Sequence, residues 1–301
     1  MKRSWLTVIQ VLILALVLVN MALKPDILDA SRIDTTDWST TPKYQKTYFN
    51  DGTLSSEGRN LNQNPVGWWK EYYENGELKS VGEFDENGLE KGEWVFYFTN
   101  GQIAEKGCFK QGKKSGIWSK YHTNGAIEYN EKFVDGKRNG YWKLYSSDKK
   151  LEAAGHYLLG EKNGFWQAYY DSAAVAEEGH FENGIKTGWW KRYYLNGFPS
   201  RVGQYENGER SGFWKFFYES GKLQKEGYFY LNEETGWWKY YNLDGVLESE
   251  GEMIGGQKSG FWRESVGDEK SEGNYKEGKK VGTWQKTSVK GAKREIIELG
   301  E

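Results

Sequence analysis

Ten tryptophans, Trp69, Trp94, Trp118, Trp142, Trp166, Trp190, Trp214, Trp238, Trp262 and Trp284, each follow a glycine by two positions and recur almost without slip. The first interval is 25 residues, the last is 22, and the seven between are all 24. A period this regular over most of a chain means one supersecondary unit copied in series, each copy burying its apolar side against its neighbours. Such an array offers an extended surface rather than an enclosed cleft.

The unit starting at Gly188 reads GWWKRYYLNGFPSRVGQYENGERS and the next, at Gly212, reads GFWKFFYESGKLQKEGYFYLNEET. Both open with Gly, an aromatic residue, Trp, a cation and an aromatic pair, then pass through a small turn to a second Gly and a final aromatic. The turn pairs are Asn75-Gly76, Asn100-Gly101, Asn124-Gly125, Asn196-Gly197, Ser220-Gly221 and Asp244-Gly245. Asn and Gly tolerate positive φ, so these pairs predict two-residue type I′ turns and a β-hairpin in each unit. A second turn, as over residues 206–211, leads to the next hairpin. The expected fold is all-β, an elongated antiparallel meander of about eleven tandem hairpins.

A two-residue turn places Trp190 opposite Gly203 and Trp214 opposite Gly227, with Tyr218 facing Leu223 on the same face. The missing side chain leaves room for the opposed indole to lie across the backbone, so Gly227→Val should press on Trp214. The repeated Trp, Tyr, Leu and Phe then form a ladder that serves as the core. Only 37% of the residues are hydrophobic, but 17% are Phe, Tyr or Trp, and such rings bury on the order of 150 to 250 Å² each.

The strings GWWKEYYENGELKSVG, GWWKRYYLNG and GFWKFFYESGKLQKEG resemble the bacterial variant of MORN repeats, tandem β-hairpins often found beside toxin and antitoxin genes. The resemblance runs over residues 43–301 and implies an interaction platform, with an immunity-like role as one possibility. Three departures stand out: Glu131 replaces a mid-unit Gly, Asp148-Lys149 and Ser172-Ala173 replace turn pairs, and the unit from Gly260 is two residues short. Residues 43–66 read as a degenerate first hairpin, 67–281 as the central repeats and 282–301 as a C-terminal cap. In the cap, Thr287-Ser288 replace the Tyr pair and charge accumulates at Lys290, Lys293, Arg294, Glu295 and Glu298, which discourages edge pairing.

Ahead of the array, residues 5–23 (WLTVIQVLILALVLVNMAL) follow Lys2-Arg3. As a helix this stretch would span ~28 Å, close to the hydrocarbon thickness of a bilayer. It is expected to be one N-terminal transmembrane helix, with the basic pair inside and the array outside the cytoplasm, periplasmic or at the cell surface. A cleaved signal segment, giving a secreted protein, is the competing reading. Residues 24–42 read as a stalk.

The 41 basic and 43 acidic residues are interspersed, which leaves no basic stripe for nucleic acid. The cation after the Trp, at Lys70, Lys143, Lys191, Lys215, Lys239 and Arg263, reads as a solvated strand face, with phosphate binding as the alternative. His122, His156 and His180 fall in different units at unlike positions, and no metal-ligand spacing or phosphate-cradling loop is present. Cys108 is the single cysteine. The expectation is a non-enzymatic protein with no catalytic residues, cofactor or metal.

Binding is therefore sought on the face opposite the ladder. Trp68, Tyr141, Phe165, Trp189, Phe213, Trp237 and Phe261 alternate with the ladder tryptophans and share a face with Tyr72, Tyr145, Tyr169, Tyr193 and Tyr241. Either that face is buried by curling or by neighbouring rings, or it is an open aromatic surface for a partner. Two functions follow: a membrane-tethered scaffold for another protein, or a cell-wall or glycan-binding module, since the hairpins also resemble choline-binding repeats of bacterial surface proteins.

Overall fold

The computed structural model describes residues 40–288 and 294–299. In them it forms one antiparallel sheet of 23 strands, each paired with its chain neighbours. The chain divides into Met1–Thr41 and Pro42–Glu301, and all the strands lie in the second unit. Lys137–Arg138 and Gly140–Tyr145 together occupy the place of one strand, so the array is eleven hairpins. The first strand, Lys43–Tyr48, and the last described, Arg294–Leu299, each have a single partner, which leaves the sheet open. Among the described residues there is no helix, and so none long and apolar enough to cross a membrane. The membrane helix expected over residues 5–23 lies outside the described residues.

The turns reverse the expected chemistry. In the hairpin Glu209–Phe217 to Leu223–Tyr230, the Gly221 N–H donates to the Tyr218 carbonyl at 2.9 Å and the Tyr218 N–H to the Lys222 carbonyl at 2.9 Å. Gly221 alone takes positive φ, +81°, so the loop has three residues, a type I turn closed by a left-handed glycine. Leu223 consequently pairs with Phe217, not Tyr218. Gln224 then bulges out and undoes the shift, so that Trp214 still pairs with Gly227, and Trp190 with Gly203. Two-residue turns with both φ positive occur between hairpins instead, at Asn207-Gly208 and Leu231-Asn232 among others. In the short unit, Gly267 at φ +60° opens a two-residue turn and the register runs unbroken from Gly260↔Tyr275 to Val266↔Glu269. Its two missing residues are the extra loop position and the compensating bulge.

Asn at these loops is explained by side-chain bonding. The Asn196 amide donates to the Glu219 carbonyl in the next loop at 2.7 Å, and its oxygen accepts from the Phe198 N–H. Asn75, Asn100 and Asn124 repeat the pattern. Beside them Tyr73, Tyr170, Tyr194 and Tyr218 each donate a hydroxyl to a carbonyl of the following unit at 2.7 Å. His122 holds the same place, with Nε2 2.8 Å from the Tyr145 carbonyl.

The core lies on one face of this single sheet. Each ladder indole except Trp142 covers the glycine of the preceding unit, not the one it faces across its own hairpin. A Cβ on Gly227 would stand 2.2 Å from Trp238, and one on Gly203 would stand 2.0 Å from Trp214. The cause is a bulge after each inter-hairpin turn: Tyr228 pairs with Thr235 but Glu226 with Lys239, so Gly236-Trp237-Trp238 stand against Gly227. The Trp238 Nε1–H donates to the Tyr228 carbonyl at 3.1 Å. Along this stretch an edge-on ring stands between successive indoles: Trp190, Tyr205, Trp214, Phe229 and Trp238 follow one another at 5.2 to 6.0 Å with interplanar angles of 77 to 89°. That alternation is the favoured geometry for aromatic quadrupoles.

No second layer covers the ladder among the described residues. Its roof is cationic: Lys114, Lys162, Lys186, Lys258 and Lys280 place Nζ 3.8 to 4.4 Å from the centroids of Trp118, Trp166, Trp190, Trp262 and Trp284. The ammonium groups themselves lie over the rings as cation–π partners, and Lys114, Lys186 and Lys258 are also paired to Glu105, Glu177 and Glu264. Each sits four residues before its tryptophan, a recurrence visible in the sequence.

Candidate interaction face

On the opposite face, rings remain open to solvent. Trp68 is 64% exposed, Trp189 55% and Tyr141 54%; Phe165, Trp237 and Phe261 are also exposed, while Phe213 is half-buried. Alternation along each strand puts them here because their neighbour, the ladder tryptophan, is committed to the core side. Burial of the whole face by curling is thereby excluded for the described residues.

Register adds partners that the sequence reading missed. His156 pairs with Tyr141, His180 with Phe165, Gln204 with Trp189 and Tyr228 with Phe213. Their rings touch: Tyr141 and His156 lie 5.0 Å apart, Phe165 and His180 5.3 Å, Phe213 and Tyr228 5.1 Å. His156 and His180 are one period apart, each directly after the mid-unit glycine, so the expectation of unlike positions was wrong for this pair. From Tyr141 to Trp237 the rings, with Gln204 among them, form one stripe across successive strands.

Tyr72, Tyr193 and Tyr241 share the face but are half-buried and engaged. Their hydroxyls donate to Glu57, Glu178 and Glu226 at 2.6 to 3.0 Å. Burial first, and then these carboxylates, push all three phenols up to about 12. Tyr169 donates to Gln167 at 2.8 Å, and Tyr145 is half-buried as well. Tyr72, Tyr193 and Tyr241 thus tie their strands to the neighbouring ones, and the rings left open are Trp68, Tyr141, Phe165, Trp189, Trp237 and Phe261.

The cations after the tryptophans border the stripe and are matched by carboxylates. Lys215 lies 3.5 Å from Glu226, and Arg263 lies 3.4 Å from Glu250 and 3.6 Å from Glu272. Lys70, Lys191 and Lys239 stand in register with Glu57, Glu178 and Glu226, while Lys143 stands over the Tyr141 ring at 5.5 Å. The border is an alternating row of charges, a solvated strand face rather than a phosphate cradle. Cys108 is exposed on this same face, in register with Glu93. Among the described residues no group of three or more His, Cys, Asp or Glu is placed to hold a metal ion.

Comparison with known proteins agrees with the hairpin chemistry. The MORN repeat variant matches at residues 66–88, 90–111 and 211–232. No curated protein matches the chain in sequence. Among solved structures, a Photorhabdus luminescens Tc holotoxin pore is similar over 81% of this chain and 14% of its own, at 9% identity and a TM-score of 0.19. A TcdB2–TccC3 structure is similar over 80% of this chain and 16% of its own, at 12% identity and a TM-score of 0.18. The chain thus spans under a fifth of either, and scores this low carry no argument. The chain carries MORN-variant repeats in these three segments, and the same Gly-aromatic-Trp opening and hairpin register recur in the hairpins beyond them.

Proposed function

We propose that this protein is a non-enzymatic scaffold that binds another protein along the exposed aromatic stripe. The observation that carries the reading is the stripe itself: Tyr141, Phe165, Trp189 and Trp237 stand open along it, and Trp68 and Phe261 stand open on the same face beyond its ends, on a sheet with no covering layer among the described residues. Interface cores are enriched in Trp, Tyr and Phe, which offer large contact area at small entropic cost. Repetition lets several weak contacts act together. Residues 5–23 would tether the array to a membrane, with the repeats outside the cytoplasm, and an immunity-like role against a neighbouring toxin fits such a platform. A cell-wall glycan is the second reading, favoured by the open rings and by the polar Gln204 paired with Trp189 among them.

Recovery from solubilised membranes, compared with retention on purified cell wall, separates the two. A partner protein that is captured by the native chain and lost with Trp189→Ala plus Trp237→Ala supports the scaffold. Retention on cell wall lost in the same variant would support the glycan reading. Capture unchanged in the variant would refute the stripe as the site. Cys108 reports the side of the membrane: in cells whose outer barrier is permeabilised, a membrane-impermeant thiol reagent should label it without lysis of the inner membrane. Labelling only after that lysis would place the array in the cytoplasm.

A further inference from the structure

Eight ladder tryptophans donate Nε1–H to a carbonyl of the preceding strand, ten residues upstream in seven cases and eleven in that of Trp94. Trp142 does not. Its Nε1 is shielded from solvent and has no acceptor. The glycine it should cover is replaced by Glu131, one period after Gly107 and one before Gly155. A glutamate side chain occupies the space an indole fills elsewhere, so Trp142 is held off the backbone and left half-buried.

The strand breaks at the same place. Lys137–Arg138 and Gly140–Tyr145 are separated by Asn139, whose N–H donates to the Lys132 carbonyl at 2.7 Å, and Gly140 takes φ +115°. Against Ile127–Val134, the pairs Lys143↔Asn130 and Leu144↔Tyr129 remain on one side of the break and Phe133↔Arg138 and Val134↔Lys137 on the other, one pair fewer than Val175–Glu182 makes with Ile185–Tyr193. Full burial of the ladder lapses at this unit: Trp118 is 0% exposed and Trp166 4%, while Trp142 between them is half-buried.

Glu131 is 4% exposed. Arg138 from the following strand brings Nε to 2.7 Å from its carboxylate, off the line a hydrogen bond needs. Lys114 faces it from the other strand of its own hairpin, with Glu105 of the preceding hairpin behind Lys114 at 2.5 Å. Tyr129 lies on its own strand, and Tyr157 lies beneath the Arg138 guanidinium at 5.2 Å. Burial raises the Glu131 carboxyl above the ordinary carboxylate range, and the attraction of Arg138 and Lys114 only partly offsets it.

We propose that the junction between Ile127–Val134 and Gly140–Tyr145 is an articulation of the array, set by Glu131 and Arg138 and tightened when Glu131 takes up a proton. The direction follows from linkage. A carboxyl that binds its proton more tightly in the closed junction than in water favours the closed form as pH falls through its folded value. At higher pH the buried charge favours opening, in which Glu131 and Arg138 both reach solvent. The intact hairpins on either side turn a local opening into a change of direction for half the platform.

Hydrogen exchange of the full-length native chain, corrected for the pH dependence of the intrinsic rate, tests this. Amides of residues 129–134 and 140–144 should open about tenfold more often at neutral pH than the corresponding amides around Trp190, the ratio expected from one unmade buried hydrogen bond. The excess should shrink as pH falls from 8 to 5 on the order of one protonation. Glu131→Gln should remove the pH dependence, and Glu131→Gly should bring the junction to the protection of its neighbours. Equal protection at the two places in the native chain, or a pH dependence that survives Glu131→Gln, would overturn the proposal.

Discussion

Gly227→Ala discriminates between two packings that share one strand register. An added Cβ would stand 2.2, 2.4 and 2.6 Å from Cδ2, Cε2 and Cγ of Trp238, an indole with 0% exposure. Contact distances for carbon begin near 3.5 Å, so the ring must move by about 1 Å inside a closed stack. Overpacking of this kind costs about 1 to 3 kcal/mol. Movement also stretches the bond from Trp238 Nε1 to the Tyr228 carbonyl, for about 1 kcal/mol more. Reduced freedom of the unfolded chain returns about 0.5 kcal/mol, since Gly227 does not take positive φ. The net loss should be roughly 2 to 4 kcal/mol, and Lys222→Ala, at an exposed loop position, should stay within about 0.5 kcal/mol. Because repeat arrays open unit by unit, hydrogen exchange read hairpin by hairpin is the suitable assay. In double-mutant cycles Gly227→Ala should couple to Trp238→Leu by about 1 to 2 kcal/mol and far less to Trp214→Leu. Stronger coupling to Trp214 would refute the packing and restore the cross-hairpin one.

Three further outcomes follow from the same geometry. Glu264 is held down to about 2: burial raises it, but bonds from Lys258, Lys280 and Tyr275 outweigh that effect. Its contribution, on the order of 2 kcal/mol, should be fully present above the ordinary value near 4.5 and lost as pH falls from there toward 2; urea unfolding of Glu264→Gln should lack this part of the acid dependence. Tyr218→Phe, which deletes the bond to the Tyr241 carbonyl, should destabilise by about 0.5 to 1.5 kcal/mol. Phe98→Tyr, at the equivalent place in an earlier unit, should stabilise, and a loss there in thermal unfolding would show that the hydroxyl ladder does not extend that far. Lys149 and Ala173 hold φ +65° where other loops have glycine, so Lys149→Gly and Ala173→Gly should each stabilise by about 0.5 to 1 kcal/mol in the same assay.

The repeat, the hairpins, the strand-body register and the sorting of rings onto two faces could all be read from the chain, because period 24 and strand alternation are properties of sequence spacing alone. The exposed rings of the candidate face follow from the same alternation, since a residue beside a ladder tryptophan must point away from it. What the other members of that face do was not legible. Tyr72, Tyr193 and Tyr241 have the same parity as Trp68, Trp189 and Trp237, yet their hydroxyls are committed to carboxylates on the neighbouring strand of the preceding hairpin. His156 and His180 enter the stripe only through register with Tyr141 and Phe165.

Turn type and indole placement were decided by tertiary structure. Asn-Gly satisfies a two-residue turn equally well in isolation. The three-residue loop prevails because it lets each Asn amide and Tyr hydroxyl reach a carbonyl of the next loop, an acceptor that exists only once the hairpins stack. Likewise Trp214 has a glycine beside it on both sides, Gly203 and Gly227. Local spacing cannot choose between them. The bulge after the inter-hairpin turn leans each indole toward the earlier unit, where a backbone carbonyl accepts its N–H and an edge-on ring closes the stack. Sequence thus determines what is repeated and which face each residue takes, while the contacts between copies determine how one copy grips the next.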